Sequence, residues 1–296
     1  MTLEQLRIFV GVAEREHMTA AARALNVTQS AASAAIAALE ERHAIKLFHR
    51  VGRGITLTEA GRLFLTEARG ILAQANAAEA MLGELSGLKR GTLRVVASQT
   101  IAAYWLPPIL AIFHERYPTI DIELAIGNSE QAAARVRDGN ADLGIVEGEI
   151  DDAALENWSI SEDRLLLVCA SPFGDAQIDP EWLRRARWVL REPGSGTRST
   201  FDGHLRSIGV DPTMLDVTLT MPSNESVRTA VEAGAGVAVL SALVVGPAIK
   251  AGMLHVAPIT FPARPFVGLR HKERYRTKAA DALLDVIRTR QTEVSM

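Results

Sequence analysis

The chain has 296 residues, of which 48% are hydrophobic and 23% charged, so it can bury the cores of two or three domains. Its formal net charge is −3, which excludes a globally basic nucleic-acid-binding protein and requires any DNA-binding surface to be local. The only cysteine, Cys169, excludes an internal disulfide and indicates a reducing compartment. Its apolar surroundings favour a core role over a redox-sensing role.

The first twelve residues lack the basic start and unbroken apolar core of a signal peptide, and no apolar run approaches ~20 residues. None of the seven histidines stands at metal-ligand spacing from another histidine or from Cys169. We therefore expect a cytoplasmic protein with no membrane partner, no metal and no cofactor.

Two short helices joined by a tight turn are predicted near the N-terminus. Thr19 is the expected N-cap of a helix over residues 19–25, and Asn26 can adopt the left-handed conformation that ends a helix. Thr28 then opens a longer helix over residues 28–41. The pair has the order of a helix-turn-helix.

The longer helix has one apolar face and one small, polar face. The apolar face carries Ala32, Ile36 and Leu39. The major groove of DNA admits a helix whose other face has no bulky side chains and carries hydroxyl and amide groups near its N-terminal end. The residues of that other face are Gln29, Ser30, Ser33 and Ala34.

A β-hairpin, or wing, is predicted after this helix, because Gly52 and Gly54 bracket Arg53 between two short extended runs. Residues 42–53 contain four Lys or Arg and no acid, which suits a surface that faces phosphates. Helix-turn-helix geometry cannot be read from periodicity alone, so an alanine-rich helical hairpin packed in a core is the alternative interpretation.

Residues 19–61 resemble the DNA-binding domain of LysR-type transcriptional regulators, and the resemblance extends more weakly through the whole chain. The matching segments are Phe9-Val10, Thr19-Ala20-Ala21-Ala22, Leu25, Val27-Thr28-Gln29-Ser30-Ala31, Ser33, Ile36, Ala38-Leu39-Glu40-Glu41, Leu47-Phe48 and Leu57-Thr58-Glu59-Ala60-Gly61. The resemblance implies promoter DNA as a partner. The residues expected to contact DNA are Thr19, Arg23, Thr28, Gln29, Ser30, Ser33, Ala34, Arg50 and Arg53.

The chain departs from the family where members often carry Arg, Lys or Gln. Ala34, Ala35 and Ala37 occupy those positions of the longer helix. The departure implies that hydroxyl contacts, methyl contacts to thymine and DNA shape carry more of the sequence specificity.

A heptad seam follows the wing, with apolar residues spaced alternately by four and three. A helix packed on its own domain would also fit this pattern, whereas the family resemblance implies a dimerisation helix, a homodimer and a homotetramer. The expected domains are a winged helix-turn-helix over residues 1–58, a linker helix and hinge over 59–90, and an effector domain over 91–296. The seam residues are Phe64, Ala68, Ile71, Ala75, Ala78, Leu82 and Leu85.

Strand and helix patterns alternate over the last 200 residues, which predicts an α/β fold with mainly parallel sheets. The resemblance implies two lobes of the periplasmic-binding-protein type. Lobe I is expected at about residues 91–162 and 266–296, and lobe II at about 163–265. Two chain crossovers would join the lobes.

Ligands of such folds bind in the cleft at the carboxyl ends of the strands, so the polar residues that follow the strands are the candidates. Several have a structural alternative: Ser98, Thr100, Thr197 and Ser226 could be helix caps, and Arg198 and Glu147 could be ion-pair partners. The candidate ligand-binding residues are Ser98, Gln99, Thr100, Asn128, Glu147, Ser195, Gly196, Thr197, Arg198 and Ser226.

The loop over residues 192–198, with residues 98–100 and 146–148, is similar to the LysR subgroup that regulates carbon fixation and sulfur assimilation. This similarity implies a small polar or anionic effector that modulates promoter binding or activation, and it allows RNA polymerase as a further partner. An enzyme and a transport receptor are the rival classes. The chain lacks a G-x-S-x-G elbow, a P-loop and an H-E-x-x-H motif, so we expect no enzyme. It also lacks an export signal, which argues against a transport receptor. A regulator whose cleft is purely structural stays open.

Overall fold

The computed structural model describes residues 1–52, 54–85, 91–148 and 150–294. The chain divides into two compact units, residues 1–82 and 83–296. Arg53 and most of the expected hinge, residues 86–90, lie outside the described residues. The domain boundaries at residues 58 and 90 stay predictions.

The first unit is a winged helix-turn-helix followed by a long helix, as the sequence predicts. Its centre is Phe9, which is fully buried and whose ring lies 5.6 Å from that of Phe48 and 4.8 Å from that of Phe64. Helix, wing and long helix therefore share one core. In chain order the elements are α1 (Leu3–Arg15), α2 (Met18–Ala24), α3 (Gln29–His43), β1 (Phe48–Val51), β2 (Gly54–Leu57) and α4 (Glu59–Leu85).

Polar side chains fix the starts of the helices in this unit. The hydroxyl of Thr28 accepts the Ala31 N–H at 3.1 Å and caps α3, and Asn26 takes a φ of 55°, both as expected. The expectation that Thr19 caps α2 is wrong. The helix begins at Met18, and Nδ1 of His17 accepts the Ala20 N–H at 3.2 Å instead.

Lobe I of the second unit is a five-stranded sheet with the strand order β4-β3-β5-β12-β6. Strand β3 is parallel to β4 and β5, whereas β12 is antiparallel to β5 and β6. Because side chains alternate along a strand, Leu93 and Val95 join one core and Val96 joins a second core on the other face. The elements are β3 (Gly91–Ser98), a π-helical turn (Ile101–Trp105), α5 (Pro107–Arg116), β4 (Ile120–Gly127), α6 (Ser129–Arg137), β5 (Leu143–Glu147), β6 (Leu155–Asp163), β12 (Arg264–His271) and α11 (Lys278–Val294).

Lobe II combines a parallel pair, β8 and β9, with an antiparallel sheet of order β10-β7-β11. The chain passes from lobe I into lobe II after β6 and returns at β12, which gives the two expected crossovers. The elements are β7 (Leu165–Cys169), α7 (Pro180–Arg185), β8 (Arg187–Arg191), α8 (Gly196–Ser207), a 3₁₀ turn (Pro212–Met214), β9 (Asp216–Met221), α9 (Asn224–Glu232), β10 (Ala238–Ser241), α10 (Ala242–Lys250) and β11 (His255–Val256).

The expectation of mainly parallel sheets is wrong for β7 and for β12, each of which is antiparallel to both of its neighbours. Alternation of helix and strand along the chain does not fix strand direction where the chain changes lobes, and β7 directly follows that crossover. No helix among the described residues is both long enough and apolar enough to cross a membrane.

Candidate functional site

Helix α3 has one face in the core of the first unit and the opposite face open. Ala32, Ile36 and Leu39 are buried. Gln29, Ser30, Ser33 and Ala34 are all exposed, so hydroxyl and amide groups occupy the open face near the helix start. This is the surface that a recognition helix needs in a major groove.

The other expected DNA-contacting side chains differ in their surroundings. Arg23 on α2 is exposed, and Thr19 beside it is half-buried. The Thr28 hydroxyl is engaged both by the Ala31 N–H and by the Ser30 hydroxyl, at 3.0 Å in the second case. The Thr28 hydroxyl therefore fixes the start of α3, and its contact with DNA stays a prediction.

A buried carboxylate joins α3 to the wing. Glu40 accepts the N–H groups of Leu47 and Phe48 at 2.8 and 3.3 Å and the ammonium of Lys46 at 2.6 Å. Burial alone would raise the pKa of the Glu40 carboxyl, but these hydrogen bonds outweigh it and the pKa lies below its ordinary value. Sequence analysis missed this residue, because the surface acids of a helix look the same in sequence.

The basic surface around the wing is smaller than the sequence suggests. Lys46 is committed to Glu40, so it is a weaker candidate for phosphate contact. Arg42 and Arg50 are exposed and have no ion-pair partner in the described part of the chain. Arg53 lies outside the described residues.

The heptad seam of α4 divides into two parts. Phe64 and Ala68 pack into the core of their own unit, as the alternative interpretation requires. Ile71 and Leu82 are exposed, Leu82 to 64% of its surface. The side chain of Leu85 lies outside the described part of the chain. Only the second part of the seam is therefore open to a partner helix.

In the second unit, the candidate residues of lobe I follow β3, β4 and β5 and are buried where these strands end. Thr100 Oγ1 accepts Nδ2 of Asn224 at 3.0 Å. The Gln99 side chain donates to the Pro222 carbonyl at 2.7 Å and accepts the Asn224 N–H at 3.0 Å. These contacts join the end of β3 in lobe I to the start of α9 in lobe II. The buried candidates are Ser98, Thr100, Asn128 and Glu147.

The candidate loop of lobe II brings the start of α8 against lobe I. A Cβ on Gly196 would overlap the Glu147 carbonyl oxygen and the Ser129 hydroxyl, so only glycine fits there. Ser195 precedes α8 and is buried, but its side chain makes no cap hydrogen bond. The structure thus brings the candidate loop and the lobe I residues together in one cleft.

Two buried arginines line this cleft. Arg191, at the end of β8, is 4% exposed and donates to Glu192 and Asn224. Arg264, at the start of β12, is 1% exposed and donates to Asp163 at 2.6 and 2.9 Å and to Thr197 at 3.0 Å. Arg191 precedes the candidate loop in the sequence, which could have singled it out.

Two candidate residues make local contacts instead of contacts across the cleft. Nε of Arg198 donates to both oxygens of Asp202, at 2.9 and 3.0 Å. Arg198 is therefore an ion-pair partner, which is the structural alternative that the sequence left open for it. Ser226 bonds to Ser223 at the start of α9, while Asn224 makes the contacts to lobe I. The role of either residue in ligand binding stays a prediction.

The Ser98 hydroxyl is buried and has no hydrogen-bond partner among the described residues. A buried polar group without a partner costs roughly 1–3 kcal/mol, so such groups are rare and usually have a functional or solvent partner. Ser98 is the last residue of β3, and the two residues that follow it, Gln99 and Thr100, bond to lobe II. The Ser98 hydroxyl therefore has an unused donor and acceptor at the end of β3.

A cavity of about 530 Å³ lies elsewhere in lobe II, beside Cys169, Trp182 and Arg187, and shares no lining residue with the cleft. Cys169 is half-buried, and its thiol donates to the Ser171 carbonyl at 2.9 Å. Most of the polar cleft residues named above form hydrogen bonds to one another, and the cavity lies away from them.

A winged helix-turn-helix unit and a two-lobed α/β unit with a polar cleft define the class of one-chain bacterial regulators that combine a DNA-binding domain with a ligand-binding domain. Residues 3–62 match the bacterial regulatory helix-turn-helix proteins of the lysR family, and residues 86–292 match the LysR substrate binding domain. The chain belongs to the LysR family of transcriptional regulators.

Similar sequences cover almost the whole chain. The uncharacterized HTH-type transcriptional regulator YeiE of Escherichia coli strain K12 is 32% identical, with 96% of each chain covered. A probable RuBisCO transcriptional regulator of Cyanophora paradoxa is also 32% identical, with 97% of this chain and 91% of the relative covered. The second relative, by its name, agrees with the carbon-fixation subgroup expected from the sequence.

Similar solved structures confirm the fold. Full-length CbnR complexed with its target DNA is 24% identical, has a TM-score of 0.67 and covers 98% of this chain and 99% of its own. The CcmR regulatory domain of Synechocystis PCC6803 in complex with 2-PG is 25% identical, has a TM-score of 0.61 and covers 68% of this chain and 97% of its own.

Proposed function

We propose that this LysR-type regulator responds to a small anionic effector in the cleft between lobes I and II. The observations that carry the proposal are the buried Arg191 at the end of β8 and the buried Ser98 hydroxyl at the end of β3, which has no hydrogen-bond partner among the described residues. A buried guanidinium with nearby hydroxyls and a helix N-terminus suits an oxyanion. The similar CcmR domain, which holds a small anion, supports the same ligand class.

The proposed DNA-reading surface is the open face of α3, supported by α2 and by basic side chains of the wing. Ser33 and Ala34 would lie against base edges, while Arg50 would hold a phosphate. Since α3 has few long polar side chains, DNA shape contributes to the choice of site.

The effector can change promoter binding or activation only by binding one arrangement of the lobes more tightly than another; ~1–3 kcal/mol of coupling is typical. Such a change in lobe arrangement would alter the hydrogen bonds that Gln99, Thr100 and Asn128 make with lobe II. Any regulatory output therefore depends on these cross-lobe hydrogen bonds.

The assembly proposed with this function is a homodimer through the open part of the α4 seam, and a homotetramer built from dimers. A dimer would place two α3 helices about 34 Å apart, one turn of DNA. RNA polymerase is a further proposed partner. A promoter-binding role also requires the protein to act where the chromosome lies, so the cytoplasm remains part of the proposal.

A binding-site selection tests the DNA-reading surface. Ser33→Arg should change the preferred sequence, because it places a long base-reading side chain in the groove. Gln74→Arg, which adds the same charge on an exposed part of α4, is the matched control and should leave the preference unchanged. Identical preferences for wild type and Ser33→Arg would contradict the placement of α3.

Calorimetry with sulfate, inorganic phosphate and 2-PG tests the cleft. Ser98→Ala and Thr100→Ala should weaken anion binding several-fold and reduce any ligand-induced change in the promoter footprint. Ser207→Ala, an exposed serine at the end of α8, is the control. DNA binding that persists with no anion bound by any protein would favour a purely structural cleft.

A further inference from the structure

The carboxylate of Glu192 forms a two-point ion pair with the guanidinium of Arg191. Glu192 Oε2 accepts Nε of Arg191 at 2.8 Å, and Oε1 accepts Nη2 at 2.9 Å. Oε1 also accepts Nδ2 of Asn128, at 3.3 Å, from lobe I. One carboxylate therefore neutralises the buried arginine and ties the two lobes together.

The geometry of this contact is that of an arginine bound to an external oxyanion. Two oxygens face two nitrogens of one guanidinium edge, which is how Arg binds carboxylate and phosphate groups. The remaining nitrogen, Nη1, donates to Asn224 Oδ1. An anionic ligand could reach this edge of Arg191 only if the Glu192 carboxylate left it.

The chain is built so that the side chain of Glu192 can leave while its backbone stays. The Glu192 N–H donates to the Met221 carbonyl at 3.2 Å, and its carbonyl accepts the Ser195 N–H at 3.3 Å. The Glu192 side chain is 23% exposed, whereas that of Arg191 is 4% exposed. Rotation of the side chain toward solvent would leave the Arg191 charge buried, which is costly unless another anion replaces it.

We propose that Glu192 is an internal anion that holds Arg191 in the absence of effector and competes with the effector for it. This inference rests on the proposed anionic effector. A neutral ligand gives no compensation for the buried charge, so the device selects oxyanions such as sulfate, phosphate and phosphate monoesters over neutral ligands. Displacement also removes the bond between Glu192 and Asn128, so anion binding changes a contact between the lobes.

Calorimetric titration of the full-length protein with sulfate and with inorganic phosphate, at constant ionic strength, tests the competition. Glu192→Gln should bind both anions roughly tenfold more tightly than wild type, because the competing charge is gone. Glu130→Gln is the matched control. The carboxylate of Glu130 lies beside Gly194 of the loop that contains Glu192, but it makes no ion pair among the described residues. The affinity of Glu130→Gln for the anions should therefore differ from that of wild type by less than about twofold.

Glu192→Asp keeps the charge but shortens the side chain by one methylene, so it cannot fill the same edge of Arg191. Glu192→Asp should therefore bind the anions more tightly than wild type. Thermal unfolding checks whether each variant is folded, and Glu192→Asp replaces Glu192→Gln in the test if Glu192→Gln does not fold. Equal tightening by Glu192→Gln and Glu130→Gln would reduce the effect to general charge and overturn the inference. If wild type binds the anions and neither Glu192 variant binds them more tightly, the competition is overturned but the proposed function stands. If no variant binds either anion, the proposed function is overturned as well.

Discussion

At the scale of single residues, the decisive contacts are made by charged side chains buried with their partners. Glu40 fixes the start of the wing through two N–H groups and one ammonium. Arg264 holds Asp163 and Thr197, which connects the start of β12 to the crossover into lobe II. Both therefore fix the positions of neighbouring elements, Glu40 in the first unit and Arg264 in the second.

Glu40→Gln should destabilise the junction of α3 and the wing by ~1–3 kcal/mol, since a neutral amide oxygen accepts the two backbone N–H groups more weakly than the carboxylate oxygen and the amide N–H₂ would face the Lys46 ammonium. Hydrogen exchange of the Leu47 and Phe48 amides in the full-length protein measures this directly. Lys46→Met should cost less than about 1 kcal/mol, because Lys46 is 76% exposed. Equal exchange rates in Glu40→Gln and wild type would contradict the assigned role.

The same carboxylate gives the junction a pH dependence of known sign. The pKa of Glu40 is lowered in the folded chain, so its stabilising contribution is present above the ordinary value of 4.5. The contribution is lost as the pH falls through the lowered pKa. Amide exchange at Leu47, corrected for the intrinsic rate, should therefore accelerate at acid pH in wild type and not in Glu40→Gln.

Single residues also show how far the sequence reaches. Ser98, Thr100 and Asn128 could be predicted for the cleft because they follow strands in the sequence. Arg264 could not be predicted, since its partner Asp163 is 101 residues away and the pairing exists only in the folded lobes. The link between Asn224 and Thr100 spans 124 residues and was missed for the same reason.

At the scale of elements, helices with strong periodicity and clear caps were predictable, and polar edge strands were not. The helical spacing of Ala32, Ile36 and Leu39 predicted the buried face of α3, and the open face lies opposite to it. Strand β6 escaped prediction because it lies at the edge of the lobe I sheet and its sequence is largely polar. The direction of β7 was also hidden, because periodicity carries no information about strand direction.

The α4 helix makes an element-scale prediction about assembly. Leu82→Glu should shift the dimer toward monomer by at least tenfold in dissociation constant, because it puts a charge on the open part of the seam. Sedimentation velocity over a concentration series measures the shift. Gln74→Glu, exposed and off the seam, should leave assembly unchanged. A Leu82→Glu protein that associates as wild type does would exclude α4 as the dimer contact.

At the scale of the whole molecule, the chain separates reading of DNA from sensing of a ligand. The first unit presents an open helix face and exposed Arg50, while the second unit closes a cleft around buried Arg191. The sequence predicted this division through its family resemblance, and the family matches confirm it.

The most direct test is the affinity of the full-length protein for the duplex upstream of its own gene, measured by fluorescence anisotropy from about 50 to 200 mM salt. We expect log affinity to fall linearly with log salt concentration, and Arg50→Ala to reduce that slope by about one. Arg276→Ala, a 56% exposed arginine of the second unit, is the control and should keep the wild-type slope. If the protein shows no salt-sensitive affinity for any duplex, the assignment of α3 and the wing to DNA is contradicted.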